Sequence, residues 1–96
     1  MVRSSKRALP ASIQAKLARA ALRAARNAAD SGKCAVAEML FGLGGVDLQG
    51  AVTRARTKGA VLKSLDAGME AADASKAIID CRQRERAASS PSGGTT

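Results

Sequence analysis

Histidine, tyrosine and tryptophan are absent from this 96-residue chain, and Phe41 is its one aromatic residue. No side chain therefore has an unperturbed pKa near neutrality, which removes the commonest agent of general acid–base catalysis and the commonest metal ligand. Recognition surfaces that stack bases on aromatic rings are excluded as well. The two cysteines, Cys34 and Cys81, stand far apart, so there is no disulfide-rich scaffold and no CxxC zinc or redox pair. A thiol nucleophile lacks a histidine base. The expectation is two small buried cysteine side chains, with a bridge from the second helix to the last as the alternative. No apolar run approaches the ~18 residues that span a bilayer, so no transmembrane segment is expected. The front segment has no hydrophobic stretch of secretory type. It is basic, serine-containing and free of acids up to Asp30, as organellar transit peptides are. No enzyme activity, metal or cofactor is expected.

Excess positive charge is what the chain has, and it lies at the front. The net charge is +8. Met1 to Lys33 holds eight basic residues and one acid, a net +7, while the rest is close to neutral. Lys16, Arg19, Arg23 and Arg26 step by three, four and three, which on a helix places them within an arc of about 80°. Such a ridge suits a polyanion. It spans ~15 Å, and duplex DNA offers a phosphate every ~1.7 Å of axis. Arg3, Lys6 and Arg7 extend the footprint as a basic arm does. The competing account is a solvated face, or one paired with acids of the same chain or of a second copy, for which Asp66, Glu70 and Asp73 fall within about 80° of arc on a later helix.

Alanine, leucine, arginine, lysine and glutamate predominate, and β-branched and aromatic residues are few. That composition predicts an all-α fold, a small bundle of three to four helices. Residues 1–9 form a basic arm, 10–87 a single helical domain and 88–96 a disordered tail. Helix one runs from Pro10, suited to a first turn, to about Ala29, with Ile13, Leu17, Ala20, Ala21, Ala24 and Ala28 on its buried face. Gly32 supplies the left-handed residue that ends it. The second helix, about Lys33 to Leu43, carries Val36, Met39, Leu40 and Leu43 at i, i+3, i+4, i+7. This hairpin outline, with Ser31-Gly32-Lys33-Cys34 at its turn, resembles half of a tetratricopeptide-type repeat. No second copy follows at a period of ~34 residues, so no solenoid is expected.

Gly44-Gly45 is expected to end the second helix and Asp47 to cap a third. A break at Gly59 would then give helices 48–58 and 60–87. Leu62, Leu65, Met69, Ala72, Lys76 and Ile79 step by three and four, a coiled-coil-like seam. Because alanine buries little surface, the core should be thin. Self-association or a partner would complete it. Phe41, Leu62, Leu65, Met69 and Ile79 are the candidate partner interface.

Sequence-specific base reading is not expected, since the helix after Gly32 is apolar. The Gly32-Lys33 pair lacks the rest of a phosphate-binding loop. Two functional expectations follow. The first is a non-enzymatic nucleic-acid-associated protein, an accessory, architectural or packaging factor holding phosphates through Arg3, Lys6, Arg7, Lys16, Arg19, Arg23 and Arg26. The second is a helical structural or adaptor subunit of a virion or multisubunit complex, bound to a second copy or to a helical protein partner. Either places the chain in the cytoplasm or within a nucleoprotein or virion assembly.

Overall fold

The computed structural model describes residues 9–89. The expected basic arm up to residue 8 and the expected tail from residue 90 lie outside them. The described residues form three helices, α1 (Ala11–Asp30), α2 (Cys34–Arg54) and α3 (Lys58–Ser89), with no strand among them. The fold is all-α. α1 packs along both other helices, and α2 and α3 touch each other least.

Local chemistry sets the helix ends. The Pro10 carbonyl accepts from the Ile13 and Gln14 N–H groups at 3.0 and 2.9 Å and opens α1. At the other end Gly32 has φ +83°, a region open to glycine at little steric cost. The Lys33 N–H then reaches the Ala28 carbonyl at 2.8 Å, and the Gly32 N–H reaches that of Ala29 at 3.0 Å. This is a Schellman closure, and it turns the chain tightly into α2. The second turn is capped by Thr57, whose Oγ1 accepts from the Ala60 N–H at 3.1 Å. Arg54 lies in the last turn of α2, where a cation is favoured by the helix dipole.

Three sequence expectations are corrected. First, α2 does not stop at Gly44-Gly45 but continues to Arg54. A Cβ on Gly44 would stand 2.6 Å from Leu22 Cγ and 3.2 Å from the Ala18 carbonyl oxygen. Gly44 is thus the point where α1 and α2 touch backbone to side chain, and packing outweighs its poor helix propensity. Asp47 lies inside the helix and accepts from Gln14 Nε2 at 3.4 Å, and the chain break is at residues 55–57 instead of Gly59. Uninterrupted, α2 has 21 residues and a mean hydropathy of 1.2 over an 18-residue window, so by length and composition it is long and apolar enough to cross a membrane.

Second, the buried face of α1 is not the stripe through Ile13 and Leu17. Both are 46% exposed, while Ala15, Ala18, Leu22, Ala25 and Ala29 are buried. These five step by three and four, as do Cys34, Ala37, Phe41, Gly44, Leu48 and Ala51 on α2, and Ala60, Ser64, Ala67, Ala71, Ala74, Ile78 and Cys81 on α3. Each is a heptad seam facing the bundle axis. The interior is therefore built from small residues. Leu22 is the one large aliphatic side chain fully buried among the described residues. Third, Cys34 and Cys81 are joined, with Cα atoms 5.8 Å apart. The bridge ties the start of α2 to α3 within a cluster of Ala29, Ala37, Ala28, Ala77 and Ile78.

Candidate functional site

α1 presents its four ridge cations along α3, and α3 answers with acids. The Arg19 and Arg23 Nε–H groups donate to the same Glu70 oxygen, Oε2, at 3.4 and 3.3 Å. The arginine side chains stay 45% and 59% exposed, whereas Glu70 is 12% exposed. Its second oxygen, Oε1, is buried without a partner. Lys16 and Arg19 meet Lys63 and Asp66 around a cleft of about 80 Å³. Arg26 lies with Asp30, Asp73, Lys76 and Asp80 around another of about 260 Å³. Along this groove Lys16, Arg19, Arg23, Arg26, Lys63 and Lys76 face Asp30, Asp66, Glu70, Asp73 and Asp80, six cations against five anions. The ridge is thus a strip of mixed charge. Exposed pairs of this kind contribute about 0–1 kcal/mol each.

Arg3, Lys6 and Arg7 lie outside the described residues. The other cations divide between the two ends of the bundle, and Arg54 and Arg56 lie at the end opposite the Gly32 turn. There Arg54 and Arg56 line a cleft of about 200 Å³ with Pro10, Ala11, Ser12, Thr57 and Ala60. Arg54 donates to Gln14 Oε1, a neutral acceptor. Near the Gly32 turn Arg84 donates to the Ala29 carbonyl at 3.1 Å, which helps close α1. Arg82 bonds both oxygens of Glu38, at 2.8 and 2.6 Å, and Glu85 at 2.6 Å. The Arg82 guanidinium holds the Glu38 carboxyl below its usual range, and the two carboxylates push the Arg82 pKa up.

The expected interface residues divide. Phe41 is half-buried against Ala18, Leu22 and Ala67, so it belongs to the edge of the core. Leu62, Leu65, Met69 and Ile79 are exposed, and so are Ile13, Leu17, Val36, Met39, Leu43 and Val46 on α1 and α2. Between α2 and α3, Val52, Ala55, Val61, Ser64 and Leu65 surround an uncharged cavity of about 180 Å³. Sequence reading passed over Val52, Val61 and Ser64. The available signal was Ser64 itself, a hydroxyl at a core position of the α3 heptad.

The chain was compared with protein-family models, with curated proteins and with solved structures, and it matches none.

Proposed function

We propose that this chain is a non-enzymatic helical subunit, structural or adaptor in role, whose packing is completed inside a larger assembly. One observation carries the reading: side-chain size is inverted. Among the described residues alanine, glycine and cysteine fill the interior around Leu22 and Ser64, while thirteen large apolar residues are exposed. Single exposed leucines are ordinary, but contiguous apolar faces on a soluble monomer mark interaction surfaces. Burying the small seams brings the helices close and leaves each large seam outward as a knob-bearing face of coiled-coil spacing. The Cys34–Cys81 bridge adds that the mature chain suits oxidising surroundings, such as a virion or an extracytoplasmic complex.

The test is hydrodynamic. The disulfide-intact chain is purified alongside Leu62→Asp/Met69→Asp, with helical content checked by circular dichroism. Wild type is expected in a species heavier than one chain, alone or with a protein partner, and the double variant as a monomer. A wild type that stays monomeric and cross-links to nothing would overturn the reading.

A second reading, an accessory nucleic-acid-associated protein, keeps support from the cleft at the start of α1. Arg54 and Arg56 line it and no acid does. Arg3, Lys6 and Arg7 precede Pro10 in sequence. In this reading Arg54→Glu/Arg56→Glu weakens binding to unrelated DNA or RNA more than Arg19→Glu/Arg23→Glu does. Affinity falls at least ~100-fold between about 50 and 200 mM salt. No binding at the lower salt eliminates it.

A further inference from the structure

The α2–α3 side is the least closed part of the bundle, and it holds a hole and knobs side by side. The hole is the cavity of about 180 Å³ between Val52, Ala55, Val61, Ser64 and Leu65. An apolar cavity of ~150 Å³ takes up a benzene-sized group, so this one admits an aliphatic side chain. Ser64, in its wall, is 6% exposed, and its Oγ has no hydrogen-bond partner. The knobs are Leu62, Leu65 and Met69, all exposed, on the same stretch of α3. Gly45 and Gly68 have open space where a Cβ would stand.

We infer that a second copy of this chain covers the α2–α3 side, each copy seating an aliphatic knob of α3 in the other's cavity. This rests on the subunit reading and names the partner. A two-fold interface requires one patch to be self-complementary, and here hole and knobs lie within one turn or two of each other. Two antiparallel helices about 30 Å long and 8–10 Å apart present roughly 600 Å² before side-chain relief. That approaches the ~800 Å² per partner of a standard stable interface. The cavity lining is free of charge, so the knob meets no ionic group there. The chain's own ends do not offer the occupant: residues 1–8 carry three cations, and 90–96 consist of Ser, Pro, Gly and Thr.

Sedimentation equilibrium and light scattering on the full, disulfide-intact chain test this over a wide concentration range. The expected mass is that of two chains. Leu65→Asp sets like charges against each other and should raise the dissociation constant at least ~100-fold. Val61→Phe, at an exposed position of the cavity wall, fills the cavity from its mouth and should give a monomer whose circular dichroism and melting are intact, which separates interface from folding. Ile13→Asp, on the far flank of α1, should leave the dimer in place. A monomer at every concentration, or a dimer broken by Ile13→Asp and indifferent to Leu65→Asp, overturns the inference. If such a monomer still binds a synthetic Leu/Ala heptad peptide, and Val61→Phe abolishes that, the subunit reading survives without self-pairing. If it binds no peptide and partitions onto phosphatidylcholine vesicles, both fall together.

Discussion

Gly44 lies against Leu22 so closely that a Cβ added to it would meet Leu22 Cγ at 2.6 Å and Cδ2 at 2.9 Å. Leu22 is fully buried, so it has nowhere to retreat, and the Ala18 carbonyl at 3.2 Å closes the other side. Gly44→Ala is therefore expected to destabilise by about 1–2 kcal/mol, overpacking outweighing the ~1 kcal/mol gain in helix propensity. Gly42→Ala, where an added Cβ meets only open space, should do the reverse and raise the melting temperature by ~4–8 °C. Thermal melts of both variants check the contrast, which fails if the two shifts share a sign.

The Cys34–Cys81 bridge closes a loop with a sequence separation of 47. By loop-closure entropy that restricts the unfolded chain by about 4 kcal/mol. In a bundle whose interior is mostly alanine, this is a large share of a typical domain stability of ~5–15 kcal/mol. Adding reductant is expected to lower the melting temperature by roughly 15–30 °C. A melt indifferent to reductant would show that the helices hold without the bridge.

What the sequence made legible, and what it hid, follows from the range of the interactions. The all-α fold and the Gly32 turn come from composition and from residues within five positions of each other, and both are as expected. The continuation of α2 through Gly44-Gly45 depends on Leu22, more than twenty residues away. Propensity alone reads those glycines as a stop. The seam on α3 was ambiguous in phase: Leu62, Leu65, Met69 and Ile79 repeat with the same three-four spacing as Ala60, Ser64, Ala67 and Ala74. Ranking by hydrophobicity selects the large set, while the bundle buries the small one. Leu17, expected on the buried face of α1, is exposed for the same reason, and Leu22 is buried. The ridge of Lys16, Arg19, Arg23 and Arg26 was legible as a row, and Glu70 was legible as one of three acids that could answer it. That one carboxylate oxygen receives two arginines depends on the packing of α1 against α3.

Arg82 and Glu38 join α3 to α2 across the surface, at 2.8 and 2.6 Å. The folded pKa of Glu38 lies below its ordinary 4.5, chiefly through this hydrogen bond. A carboxyl with a depressed folded pKa contributes stability that is fully present above its unfolded value and is lost as pH falls through the folded one. The wild type should thus exceed Arg82→Gln by a constant margin above about pH 5, and the margin should shrink steadily below about pH 4.5. Melts of both proteins between about pH 7 and pH 3 measure it. The margin should also narrow with added salt, because the pair is exposed. A difference that grows toward low pH would contradict the assignment.

Leu22 and Leu65 have the same side chain and opposite surroundings, one fully buried and one 59% exposed. Leu22→Ala empties the one large aliphatic site of the interior and is expected to cost about 2–5 kcal/mol at any protein concentration. Leu65→Ala should change the stability of the dilute chain by no more than ~0.5 kcal/mol. At high concentration the two proteins part in another way. Binding to the folded state alone adds stability by mass action. The wild type should therefore melt progressively higher as concentration rises, and Leu65→Ala should not follow it. Chemical unfolding at several concentrations separates the terms. A Leu65→Ala protein as unstable as Leu22→Ala when dilute would mean that the large seam is already buried within one chain, and that the inverted arrangement of side-chain sizes is wrong.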